Sequence, residues 1–90
     1  MQTQISIDEF RQRLTTFIVD EVATADEAIE ADTDLLLSGL VDSLGVVVLS
    51  DWIQDQLGIA IDPVDIVLEN FQTVEAMVVY AQSRDAVSTP

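Results

Sequence analysis

The chain of 90 residues contains no cysteine, no histidine and no lysine, and its only basic side chains are three arginines. Without cysteine it can form neither disulfides nor thiolate metal sites, so cysteine usage indicates nothing about its compartment. Without histidine or lysine, a serine nucleophile would have no ordinary general base in this chain. The composition therefore argues against serine hydrolysis.

Positive charge is also scarce, because seventeen acidic side chains stand against the three arginines and give a net charge of −14. Phosphate binding needs clustered cations, so the composition argues against nucleic acid as a partner. It argues against an anionic membrane surface for the same reason. Partners with basic patches are favoured instead, since complementary electric fields steer the encounter of two proteins.

Long apolar runs are missing as well. The longest strongly apolar stretch, Leu44 to Leu49, is far too short to span a bilayer. Residues 1–9 have neither the positive start nor the apolar centre of a signal peptide, so we expect a cytoplasmic protein. The length predicts one domain over residues 1–90. We expect a monomer with an ordered core from about 5 to 84 and a disordered tail over 85–90.

Capping signals and apolar spacing locate the first helix and the connection after it. Ser6 and Glu9 have the spacing of a capping box, and the helical pattern that follows ends near Val22 to Thr24. The connection from about Ala25 to Val41 is long for a compact domain, which is typical of functional or self-packed loops. Its three consecutive leucines, residues 35–37, predict that it lies on the core.

The acidic residues of this connection lack the glycine and the terminal glutamate of a calcium-binding loop, so we predict no metal site. The acids in question are Glu30, Asp32 and Asp34.

The second helix is predicted from Asp42 or Ser43 to Leu57, with Asp42 as its N-cap and Gly58 just after its end. This helix is apolar on nearly all sides, which is unusual in a protein with so small a core. One stripe comprises Val46, Leu49, Ile53 and Leu57, and the other comprises Leu44, Val47 and Val48. Either the second stripe contacts a partner, or the loop leucines cover it.

Two further helices complete the predicted fold. Asp62 followed by Pro63 is a cap followed by a first-turn proline, which predicts a short helix from Pro63 to about Leu68. Thr73 caps the last helix. The sequence therefore predicts an all-α fold: a small four-helix bundle, with three longer helices, one short helix and a long first loop.

The second apolar stripe begins beside Ser43, in a segment that resembles the attachment motif of a known family. The hexapeptide Gly39-Leu40-Val41-Asp42-Ser43-Leu44 resembles the phosphopantetheine attachment motif of acyl and peptidyl carrier proteins. The resemblance extends from the first helix to about Arg84, and it includes residues 32–35, 57–61 and 69–74. An isolated Asp-Ser-Leu carries no information, but this one opens a helix after a long loop, at mid-chain in an acidic protein.

The resemblance implies that a phosphopantetheinyl transferase attaches a 4′-phosphopantetheine arm from coenzyme A to Ser43. The thiol at the tip of the arm would then carry acyl groups, so the protein would be a non-catalytic substrate of its partner enzymes. The physics of the site agrees, because free N–H groups and the helix dipole favour an anion at a helix start. Asp42, as cap and motif residue, would hold that start in place.

One departure from the commonest carrier pattern concerns recognition. In fatty-acid carriers the exposed side of this helix is studded with acids, whereas here acids return only at Asp51 and Asp55. We predict that Leu44, Val47 and Val48 form an apolar contact for partners, with the two acids at its rim.

The chain is also similar to freestanding carriers of specialised metabolism, which an adenylate-forming ligase loads and which acyltransferases or condensing enzymes then use. The first alternative is a carrier for fatty-acid or polyketide chain elongation. The second, from a different class, is an acidic adaptor that keeps the bundle without modification.

Overall fold

The described chain comprises residues 4–23 and 28–88 of the computed structural model, and about half of it lies in four α-helices. They are α1 (Ile7–Phe17), α2 (Ser43–Leu57), α3 (Leu68–Phe71) and α4 (Val74–Ser83). A π-helical turn, Ile18–Val22, extends α1, and a 3₁₀ turn, Pro63–Asp65, precedes α3. The predicted all-α bundle with three longer helices and one short helix is confirmed. Among the described residues, none of the helices has the length and apolarity needed to cross a bilayer.

Each of the three longer helices begins at the polar residue that the sequence indicates. The side-chain oxygens of Ser6, Asp42 and Thr73 accept hydrogen bonds from the backbone N–H three residues later, at 3.1, 2.8 and 2.9 Å respectively. These bonds occupy N–H groups that the helices themselves leave without acceptors. Gly58 ends α2 in the left-handed conformation, with φ of 65°. The predicted caps of these helices are confirmed.

The predicted position of the short helix, from Pro63 to Leu68, is wrong. Asp62 does cap the turn that follows, since its carboxylate accepts from Val64 N at 3.1 Å. That turn ends after three residues, and the helix α3 begins only at Leu68. Val67, which is β-branched, adopts an extended conformation (φ −127°, ψ 160°) that interrupts the helical path between them.

The core forms where α1, α2 and α4 face one another. Trp52 of α2 lies at the margin of the core and stacks on Phe17 of α1, with ring centroids 4.8 Å apart. Arg11 of α1 and Glu75 of α4 add an ion pair of 3.0 Å across the bundle. The fully buried side chains of the three helices are Phe10, Leu14, Leu49, Ile53, Val74, Met77, Val78 and Ala81.

The end of the described chain packs on the bundle, so the predicted disorder from Asp85 onward is wrong for residues 85–88. Ala86 and Val87 are buried. Ser88 O accepts from Ile7 N at 3.0 Å, and Ser88 N donates to Ile5 O at 2.9 Å. Two apolar residues are too few to produce a periodic signal, although Val87 packs in the hydrophobic core. The last two residues of the predicted tail, 89 and 90, lie outside the described part.

Candidate functional site

The loop before α2 closes on itself, so it forms a defined support for the helix start. Val41 N donates to Leu35 O at 2.8 Å, which closes the last part of the loop, residues 35–41. Within it, the carboxylate of Asp34 accepts from Leu37 N at 2.8 Å. Gly39 has φ of 83°, in the left-handed region that glycine enters without strain. The turn chemistry of Asp34 and Gly39 therefore brings the chain back to the start of α2.

Three side chains of this loop anchor it in the core: Leu35, Leu40 and Val41 are buried, and Leu36 is partly buried against them. Leu37 is instead 71% exposed. The prediction that all three consecutive leucines lie on the core is therefore wrong for Leu37. Its N–H is held by Asp34 in a turn, and the turn directs the side chain away from the bundle.

Gln72, in the connection between α3 and α4, ties the loop to the rest of the bundle. Its side-chain amide donates to Asp34 Oδ2 at 3.0 Å, and its carbonyl accepts from Leu35 N at 2.8 Å. The Gln72 amide and the N–H groups of the turn hold the pKa of the Asp34 carboxyl below its ordinary value. The ionised form of Asp34 therefore helps to fix this loop.

Ser43 is the first residue of α2, and its side chain is exposed. The carboxylate of Asp42 accepts a hydrogen bond from Gly45 N. The carbonyl of Asp42 accepts from Val46 N at 3.0 Å, which is the first backbone hydrogen bond of the helix. The first N–H groups of any α-helix lack intrahelical acceptors, and the positive end of the helix dipole lies there. An anion bonded to the Ser43 oxygen would be stabilised at this position.

The three arginines contribute to the bundle rather than to this site. Arg11 pairs with Asp8 and Glu75, Arg13 pairs with Glu9, and Arg84 donates to the Tyr80 hydroxyl. Within the described residues, the favourable potential for an anion at Ser43 therefore comes from the backbone of α2.

Gly45 allows α2 to begin in close contact with its neighbours, which the sequence analysis missed. A Cβ built at Gly45 would lie 2.8 Å from Val41 Cγ1 in the loop and 2.9 Å from Val22 Cγ1 in the π-helical turn. A glycine inside a helix costs about 1 kcal/mol of helix propensity relative to alanine. A glycine within a predicted helix therefore indicates a packing reason, and this is how Gly45 could have been found from sequence. The loop, the π-helical turn and the Asp42 cap together hold the start of α2.

A groove of about 580 Å³ opens beside Ser43, and most of its lining is apolar. Three parts of the chain form it: the loop, the first turns of α2, and the segment that leads into α3. The last contributes Ile66, Val67 and Leu68, which are partly exposed and which the sequence analysis did not place at the site. The pattern that could have indicated them is the run of three consecutive large apolar residues in so acidic a chain.

The second apolar stripe of α2 lies at the surface. Leu44 is 72% exposed, Val47 is 53% exposed and Val48 is 39% exposed. The alternative in which the loop leucines cover this stripe is therefore excluded. Asp51 and Asp55 are exposed further along the same helix. The five residues predicted for partner recognition thus share one helix, with the apolar ones nearest to Ser43.

The fold is a small acidic helical bundle with an exposed serine at the start of α2. Residues 12–81 match the protein family described as "Phosphopantetheine attachment site". Because the match covers most of the chain, the protein belongs to this family. Its members carry a covalent 4′-phosphopantetheine group on a serine, are modified by phosphopantetheinyl transferases and interact with biosynthetic enzymes. No curated protein matches the sequence.

Proposed function

We propose that Ser43 is the residue that carries the phosphopantetheine arm. The region that matches the family contains three serines, residues 38, 43 and 50. Ser50 is buried and donates to Val47 O at 2.9 Å, and the Ser38 hydroxyl donates to the carbonyl of Asp34. Within the described residues, Ser43 alone of the three combines an exposed side chain with a hydroxyl that has no hydrogen-bond partner. This observation carries the proposal.

The chain supplies the acceptor and its surroundings, while the transferase supplies the chemistry. The Ser43 oxygen attacks the phosphorus that joins the arm to the nucleotide of coenzyme A, the pyrophosphate bond of coenzyme A breaks, and adenosine 3′,5′-bisphosphate leaves. The N–H groups at the start of α2 stabilise the resulting phosphodiester. The chain contains no histidine or lysine, so the base that removes the hydroxyl proton belongs to the transferase. In this proposal the protein is a non-catalytic, monomeric carrier that holds acyl or aminoacyl groups as thioesters.

We further propose that the carrier works in polyketide or nonribosomal natural product biosynthesis and is loaded by an adenylate-forming ligase. The support is the exposed stripe Leu44, Val47 and Val48, which is apolar where a carrier with many partners would be acidic. A dedicated enzyme with an apolar contact would bury this stripe, while basic side chains at its edge would meet Asp51 and Asp55. Downstream acyltransferases or condensing enzymes would dock on the same face.

The attachment site is tested by the intact mass of the protein after incubation with coenzyme A and a broad-specificity phosphopantetheinyl transferase. We expect one added arm in the wild type, none in Ser43→Ala, and full modification of the matched control Ser38→Ala. An unshifted wild type, in a tube where a known carrier is modified, would contradict the carrier role. Modification of Ser43→Ala would contradict the assignment of the residue.

The loading route is tested with the modified protein and a panel of partner enzymes. Formation of a thioester from a free acid, ATP and an adenylate-forming ligase would support the proposed pathway class. Loading only by acyl transfer from a coenzyme A thioester would instead favour a carrier for chain elongation.

A further inference from the structure

The segment from the 3₁₀ turn to α3 forms part of the groove, although its backbone N–H groups make only short-range hydrogen bonds. The N–H groups of Asp65, Ile66 and Val67 bond to carbonyls only two or three residues earlier. Ile66, Val67 and Leu68 are between 36 and 45% exposed, so burial holds them only in part. Residues 66–68, called here the groove segment, therefore depend on contacts from elsewhere.

Tyr80 of α4 provides such a contact. Its ring is buried, and its hydroxyl donates to Asp65 Oδ2 at 2.9 Å while it accepts from Arg84 Nη1 at 3.0 Å. The carbonyl of Asp65 in turn accepts from Asn70 Nδ2 of α3 at 2.8 Å. Asp65 is thus joined to α4 by its side chain and to α3 by its backbone, at the residue directly before the groove segment.

We propose that the Tyr80 hydroxyl is a positioning group, which holds the groove segment in place beside Ser43 through Asp65. The arm and the partner enzymes would then meet a preformed surface, which lowers the entropic cost of binding. This inference rests on the proposed function of Ser43. Removal of the hydroxyl would leave the ring packed in the core but release Asp65, so the groove segment would open more often.

Hydrogen exchange of Tyr80→Phe tests whether the effect is local. Loss of one hydrogen bond should speed exchange of the amides of Ile66, Val67 and Asn70 by about tenfold, while the amides of α2 keep their rates. Ser83→Ala is the matched control, because it removes another α4 hydroxyl, which donates to Tyr80 O at 2.6 Å and not to Asp65. Equal acceleration in α2 would show a general loss of stability and would overturn the positioning role.

A titration tests the hydrogen bond itself, since Tyr80 is the single tyrosine of the chain. Burial and the bond to Asp65 raise the pKa of Tyr80 above its ordinary value. Asp65→Asn removes the negative charge but keeps the shape, so it should lower the pKa measured from the absorbance of tyrosinate. An unchanged pKa in Asp65→Asn would show that the bond is absent, and the inference would fail.

The kinetics of arm attachment complete the test. We expect Tyr80→Phe to raise the KM of the transferase for this carrier severalfold with kcat unchanged, because the groove segment must be ordered during binding. Ser83→Ala should behave as the wild type. If the wild type itself is not modified, the proposed function fails. If the wild type is modified and Tyr80→Phe has the same KM and the same exchange rates, only the positioning role of Tyr80 is overturned.

Discussion

The substitution Gly45→Ala tests the packing that holds the start of α2. At an open position inside a helix it would stabilise the protein by about 1 kcal/mol, because alanine has the higher helix propensity. Here the new methyl group would lie 2.8 Å from Val41 Cγ1 and 2.9 Å from Val22 Cγ1. Both valines are β-branched, with few rotamers, and Val41 is buried, so neither moves aside freely.

The expected effect is the difference between these two contributions. Overpacking of a core costs typically about 1–3 kcal/mol, against the gain of about 1 kcal/mol in propensity. We therefore expect a net loss of about 1 kcal/mol in the free energy of unfolding. In a domain of this size, that loss lowers Tm by about 4–8 °C. Thermal and urea unfolding of the two proteins measure it directly.

A double-mutant cycle with Val22→Ala identifies the cause. Truncation of Val22 makes room for the new methyl group, so the double variant should be more stable than the sum of the single effects predicts, by at least about 0.5 kcal/mol. Strict additivity would show that the two side chains do not compete for space. A Gly45→Ala protein that melts at or above the wild-type temperature would refute the argument for close packing.

Two further predictions concern the stripe and the loop. Val48→Glu should change the free energy of unfolding by no more than about 0.5 kcal/mol, because the side chain is partly exposed, but it should raise the KM of the loading ligase. The matched control is Val79→Glu on α4, and an equal rise in KM for both variants would contradict docking on α2. Asp34→Asn removes a carboxylate whose folded-state pKa is lowered, so the wild type should lose stability relative to this variant as the pH falls below about 4. Urea unfolding measures the difference, and a difference independent of pH would contradict the role of Gln72.

Local chemistry explains why much of the fold could be predicted from sequence. A cap such as Asp42 and its N–H partner are three residues apart, so the bond depends only on nearby residues. The stop at Gly58 likewise depends on one residue that enters the left-handed region. The helix start at Ser43 follows from these neighbours, and the family motif adds its expected chemistry.

The surface beside Ser43 depended instead on residues that are distant along the chain. Leu35 is buried and Leu37 is exposed although both are leucines. The backbone of Leu35 is held by the carbonyl of Gln72, which lies beyond α3 in the chain. Tyr80 meets Asp65 from another helix, and no local pattern indicates that contact.

The starts of the three longer helices, the apolar stripes of α2 and the position of the attachment motif could be predicted from sequence, because each depends on residues that are close along the chain. The packing of the helices was needed to establish that the second stripe stays exposed, that the groove segment lies beside Ser43 and that Ala86 and Val87 are buried. These features depend on which surfaces meet when the helices pack. The same apolar residue is buried or exposed according to what covers it.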